Sequence, residues 1–417
     1  MPLFKLLGFQ NTTGMLHYGS EWRKHRREME EGLKKDTLLY YHHVFTEKVH
    51  LLLGEFLHEP AGFQDHCGML GISVTMAVSY GYNVTGGLED PFVKAAEFAV
   101  KTAAHLAIPG RTLLLVFGFL GYIPPWFPGA STQRLCAEVR EAILWTRLGA
   151  FQYVKDKMRV GTSRNCVLSR LLERHSGDDG SYGDEEMLKD VMLSFYIGGV
   201  ETMKATTASF ILAMTLHPRA QRKAQEEIDR VLGSRRLPCF EDRASLPYVE
   251  ALYREVHRWR PVLPAGLPHA TTSDDTYKGY YIPKGTIVMP NVWAITRNED
   301  KHPDPELFQP ERFFNTDGTL NDETVNYSFG FGRRLCPGRH MADKVVWLMI
   351  VSVLATFKIS KARDENGDEI DVDANAYGDG VTSHPLPFKC SIVPRTPESE
   401  SLVHNAAAAA RQNLAEE

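Results

Sequence analysis

From Asp184 to Leu216, 33 residues carry apolar side chains at three- and four-residue spacing. This predicts one helix roughly 50 Å long at about 1.5 Å per residue. A helix of that length crosses a whole domain, so the fold has to be built around it. Its centre holds Gly198 and Gly199 side by side. Each weakens a helix by about 1 kcal/mol against alanine, so the pair needs a structural or chemical reason.

The same spacing predicts helices over Glu21 to Lys35, Tyr40 to Glu59, Asp90 to Ile108 and Ala130 to Arg159, and makes the protein mainly α. From His269 to Val292, short β-branched and aromatic runs broken by turns, as in TYKGYYIPKGTIVMPN, predict strand, turn, strand and a small sheet. Arg297 to Val325 is rich in Asn, Asp, Pro and Gly and predicts a long ordered loop of the kind that serves a site. Residues 1–396 are expected to form one catalytic domain. Residues 397–417, Ala-rich and short of large apolar groups, are expected to be a frayed helix or disordered tail.

With 417 residues, a formal net charge of -5, 24% charged and 43% hydrophobic residues, the chain lacks the basic surface that nucleic acid requires. Its cysteines, Cys67, Cys136, Cys166, Cys239, Cys336 and Cys390, lie far apart with no CxxC pair, which points to a reducing compartment. No signal-peptide run or bilayer-spanning segment is expected at the start. The strongest apolar stretch, Leu113 to Phe127, is broken by Gly118, Gly121, Pro124 and Pro125. It is either a core segment with a buried loop or an amphipathic patch resting on a membrane surface. Asn11, Asn83 and Asn326 begin glycosylation triplets, which are read as chance.

Phe329-Gly-Phe-Gly332-Arg-Arg334-Leu-Cys336-Pro-Gly338 runs into a helix with Met341, Val345, Leu348, Val351 and Leu354 inward. A cysteine at a helix N-terminus meets partial positive charge, which favours the thiolate that a metal needs. Gly332 and Gly338 permit positive φ and a close approach of backbone amides to the sulfur.

This loop resembles the haem loop of the cytochrome P450 family, whose pattern FxxGxRxCxG is met by Phe329, Gly332, Arg334, Cys336 and Gly338. The resemblance covers about residues 1 to 396 and implies the P450 fold, with haem b between the long central helix and the cysteine-loop helix. It makes Cys336 the axial ligand of the haem iron. Glu255 and Arg258, three apart on one helix face, would join Arg312 of a Pro310-Glu-Arg-Phe313 segment in a network that fixes the loop presenting Cys336. Trp22 and Arg26 fit the family's WxxxR helix and, with His269 and Arg334, would meet the haem propionates. Thr202 would be the hydroxyl that meets dioxygen and Glu201 the acid relaying protons from solvent.

Substrate would touch Phe195 and Gly199 of the long helix, Val262, Leu263 and Gly266, and the segment Asp379 to Thr382; periodicity alone makes Phe195 core. The implied reaction inserts one oxygen atom of O2 into an apolar small molecule, in the style of fungal secondary metabolism. No GxGxxG follows a strand, so electrons would come from NADPH through a separate cytochrome P450 reductase. The expected protein is a monomer at the cytosolic face of the endoplasmic reticulum membrane, or soluble in the cytoplasm, with residues 113–127 as the membrane contact. Two departures stand out. Met203 and Lys204 follow Thr202 where relatives often carry a second hydroxyl, and the WxxxR helix starts at residue 22, so the chain looks truncated. A haem-thiolate isomerase or dehydratase working without reductase, and an inactive haem-binding fragment, are the alternatives.

Overall fold

Helices dominate the computed structural model, which describes residues 2–108, 110–177, 183–233 and 235–416. They are α1 (Pro2–Leu6), α2 (Ser20–Leu33), α3 (His42–His58), α4 (Phe63–Tyr80), α5 (Pro91–Ala107), α6 (Ser131–Arg159), α7 (Val167–Arg174), α8 (Glu185–Leu216), α9 (Pro218–Leu232), α10 (Pro247–Trp259), α11 (Val292–Thr296), α12 (Arg339–Thr356) and α13 (Pro397–Glu416). The five helices predicted from spacing appear as α2, α3, α5, α6 and α8, each within two residues of the predicted ends. Chain contacts group the described residues into two compact units.

The first unit comprises Met1–Val44, Gly71–Glu201 and Asp379–Val381. Leu3, Leu7, Ala99, Leu106, Val139, Ile143 and Leu193 form its core between α1, α5, α6 and α8. Helix α5 starts sharply because Asp90 accepts from the amides of Phe92 and Val93 at 2.9 and 3.3 Å and Pro91 fills the first helical position. The apolar stretch Leu113 to Phe127 is where the core reading fails. Leu114 is buried, but Leu113, Val116, Phe119, Tyr122 and Trp126 are 65 to 91% exposed. Two 3-10 turns, Leu113–Leu115 and Gly118–Tyr122, split the segment into one side on the core and one facing outward.

The second unit comprises Phe45–Leu70, Thr202–Gly378 and Thr382–Glu417. It holds three two-stranded antiparallel sheets: β1 (His269–Ala270) with β4 (Ile287–Val288), β2 (Asp275–Tyr277) with β3 (Tyr280–Ile282), and β5 (Phe357–Lys361) with β6 (Cys390–Pro394). Lys278 and Gly279, both at positive φ (49° and 82°), turn β2 into β3 as a two-residue hairpin demands. Helix α12 is buried nearly all round and forms the centre of this unit. The Gln221 side chain of α9 holds β5, accepting from Ile359 N and donating to Ile359 O, each at 2.8 Å, and Gln225 donates to Phe357 O at 2.9 Å.

The expected frayed tail is instead the docked helix α13. Val403, Ala407 and Ala410 are buried, and a Cβ added at Gly54 of α3 would sit 2.7 Å from the Ala407 methyl. Small side chains form little core by themselves, yet here they allow two helix backbones to approach closely.

Candidate functional site

Two 3-10 turns, Asn326–Phe329 and Gly332–Arg334, carry the chain into α12. Gly330 (φ 83°) and Gly332 (φ 58°) supply the left-handed backbone between them. Gly338, expected at positive φ, lies at -81° as the N-cap of α12, so the second special glycine is Gly330. The Cys336 amide donates to Phe329 O at 2.8 Å and closes the loop on itself, while Arg339 Nη1 donates to Cys336 O at 3.1 Å. Cys336 is half-buried two residues ahead of the helix, within reach of its positive end.

The Phe329 ring packs 5.7 Å from that of His257 on α10, itself 4.8 Å from Tyr253. Burial pushes the His257 imidazole down to about 4.

Glu255, Arg258 and Arg312 come together as expected. Arg258 grips Glu255 with Nε at 2.6 Å and Nη2 at 2.8 Å, and Arg312 Nε adds a third bond at 3.2 Å. The Gln309 amide donates to the same carboxylate at 2.7 Å. The remaining arginine donors reach loop carbonyls: Thr296, Pro305 and Leu307 from Arg258, Pro303 and Leu307 from Arg312. Glu255 and Arg258 are fully buried, which is tolerable only because each polar atom has partners. Their hold falls on the long loop predicted over Arg297 to Val325.

His269, exposed on β1, lies near Arg334: partial burial and that guanidinium's charge both hold its imidazole below the ordinary value. Trp22 and Arg26 lie in the first unit, one turn apart on α2. Trp22 is buried against Tyr18 at 5.2 Å, and Arg26 Nε donates to Glu30 at 2.7 Å.

Glu201 and Thr202 are half-buried on α8, which runs unbroken past both glycines. The sequence expects Gly199 against substrate, but a Cβ there would meet Thr75 Oγ1 of α4 at 2.6 Å, so this glycine admits α4. Phe195 is likewise core: it is buried, and its ring tip lies 3.3 Å from a Cβ built on Gly32. Val262 and Leu263 are half-buried in the loop after α10. Val262 O accepts from Ser383 N at 2.8 Å, tying it to the segment after Thr382, and Gly266 (φ 58°) lets Pro290 approach where any side chain would clash. Asp379 pairs with Arg111 at 3.3 Å in the first unit.

Among the described residues no group of three or more His, Cys, Asp or Glu side chains is arranged to hold a metal ion. A single thiolate donor at a helix end suits a metal whose other ligands come from a macrocycle, and the Arg334 guanidinium beside the His269 imidazole suits a carboxylate of that macrocycle. The donor set therefore fits haem.

A family model described as Cytochrome P450 matches residues 2–392. The chain belongs to the cytochrome P450 family. Its relatives include cytochrome P450 monooxygenase COX2 of Coprinopsis cinerea, 37% identical over 98% of this chain and 78% of the relative. A cytochrome P450 monooxygenase of Armillaria gallica is 38% identical over 97% and 79%, and cytochrome P450 monooxygenase claR of Ampulloclitocybe clavipes is 36% identical over 96% and 74%. This P450 is a haem-dependent monooxygenase that uses O2 and electrons supplied by a reductase, and the isomerase and inactive-fragment alternatives find no favour among these relatives.

Proposed function

We propose that Cys336 is the axial haem ligand and that this P450 hydroxylates or otherwise oxygenates an apolar small molecule of fungal secondary metabolism, with electrons drawn from NADPH through a cytochrome P450 reductase. The carrying observation is the self-closed loop that places Cys336 at the start of α12. Haem b, when bound through a thiolate, supplies the electron donation that favours O–O cleavage.

The chain's own residues supply the rest. Glu201 takes protons from solvent at its carboxylate, and the Thr202 hydroxyl passes them on, one residue further along α8. Arg334 and His269 bind a propionate; burial first and then the Arg334 charge hold the imidazole below its ordinary value, and an anion between the two side chains would offset the second of these. Glu255, Arg258 and Arg312 fix the loop ahead of Phe329. Val262, Leu263 and the segment around Thr382 line the apolar substrate.

The outward apolar side of residues 113–127 rests on the endoplasmic reticulum membrane from the cytosolic face. Its support is the exposure of Leu113, Val116, Phe117, Phe119, Tyr122, Trp126 and Phe127 in one segment. No helix among the described residues is long and apolar enough to cross a membrane.

The deciding experiment is the absorption spectrum of the ferrous carbon monoxide complex. Wild-type protein is expected to show thiolate ligation and Cys336→Ser to lose it. If Cys336→Ser kept that signature, the assignment would be wrong.

A further inference from the structure

Helix α12 is mostly apolar from Val345 onward, and its early turns carry one acidic side chain, Asp343, seven residues after Cys336. Arg243, in the 3-10 turn Phe240–Ser245, meets it as a fork: Nη1 donates to Oδ2 at 2.7 Å and Nη2 to Oδ1 at 2.8 Å. The third guanidinium edge, Nε, donates to Glu250 of α10 at 2.9 Å. The same plane lies 5.2 Å from the Tyr253 ring and 5.3 Å from that of Trp347, on α10 and α12 respectively.

Glu250 passes the connection on, accepting from Arg254 Nε at 3.3 Å. Arg254 Nη1 then donates to the carbonyls of Asn321 and Glu323, both at 2.9 Å, on the chain leading into the cysteine loop. Arg243 thus joins the start of α12 to the face of α10, and Arg254, through the shared Glu250, extends the link to the approach to Phe329. None of these four charged residues belongs to the Glu255 cluster, and a planar five-donor guanidinium is what lets Arg243 meet both Asp343 oxygens and Glu250 while lying against two rings.

We infer that Arg243 is a positioning residue for the Cys336 thiolate, acting through Asp343 to fix the early turns of α12 relative to α10. The inference rests on Cys336 being the haem ligand. A sulfur ligand is sensitive to displacement of the helix end that carries it, because both its distance from the metal and its amide surroundings move with that end.

The test uses the haem-loaded full chain. Arg243→Gln and Asp343→Asn each remove the ion pair, and the second leaves the Arg243–Glu250 bond in place, so a folding failure of the first alone does not end the test. After mild heating, either variant is expected to retain roughly fivefold less haem with the thiolate signature in the ferrous carbon monoxide spectrum than wild type. The far-ultraviolet circular dichroism should be unchanged. Arg243→Lys, which keeps the charge and loses the fork, should fall between.

Wild-type retention of the thiolate signature in both neutral variants would overturn the inference. So would a loss that only tracks global melting, since that is a structural role alone. If Cys336→Ser itself retained the signature, the ligand assignment would have failed instead, and the two failures are distinguishable.

Discussion

Two charge clusters hold the cysteine loop from different sides, and they differ in how much water reaches them. Glu255 and Arg258 have no exposed side-chain surface, whereas Arg243 and Asp343 are 26 and 36% exposed. The buried cluster is bound to the carbonyls of a long loop, and the half-exposed one joins two helices that already pack. Burial decides what each is for. In the first, every lost partner strands a charge in a low-dielectric interior; in the second, water replaces part of what is lost.

The largest effect is expected at the buried end. Glu255→Ala leaves two arginines facing each other and should lower unfolding free energy by about 3 to 5 kcal/mol, with little haem incorporated; denaturant titration and the haem-to-protein ratio measure both. A loss under 1 kcal/mol would mean that the contrast is not one of burial.

A second effect is written in pH. His302 is buried beside the trio, and burial, then the charges of Arg258 and Arg312, push it down to about 4. The unfolded chain takes its proton near 6.5 while the folded chain waits until about 4. Stability is therefore complete above 6.5 and declines as pH falls toward about 4. Thermal melts across that range should show this decline, and His302→Gln should make it shallower while buried His257 keeps its own share; an unchanged slope would remove His302 from the account.

Asp343→Asn should cost no more than about 0.5 kcal/mol in denaturant unfolding, well below Glu255→Ala and too little to account for a fivefold loss of haem. The smallest effect belongs to Arg111 and Asp379, 48 and 75% exposed: Asp379→Asn should leave the melting temperature unchanged within error. A larger shift there than at Asp343 would reverse the ordering.

The helical frame was legible because α2, α3, α5, α6 and α8 repeat their apolar residues at helical spacing, and the hairpin because Lys278-Gly279 separates two aromatic runs. At the site, the Glu255 trio was legible from residue types and spacing. What the sequence misplaced depends on three-dimensional neighbours. Gly199 and Phe195 face α4 and Gly32, and helical period cannot say which buried face meets a partner helix and which a ligand. Gly330 and Gly338 exchange roles because a glycine's φ is set by the turn around it. Residues 113–127 stay open between core and surface in the sequence, and α13 is expected to fray, since bulk apolarity measures neither exposure nor the closeness that alanines allow. Arg243 and Asp343 are 100 residues apart, and only the lone acid in an apolar helix hinted at a partner.

The Gln221 and Gln225 amides on β5 have a consequence for life at high concentration. A two-stranded sheet normally offers open backbone edges on which a second molecule can add a strand. Here the amide and carbonyl of Ile359 and the carbonyl of Phe357 are already engaged by glutamines from α9. Side chains thus stand where a third strand would bind, and this edge offers no template for chain-to-chain aggregation.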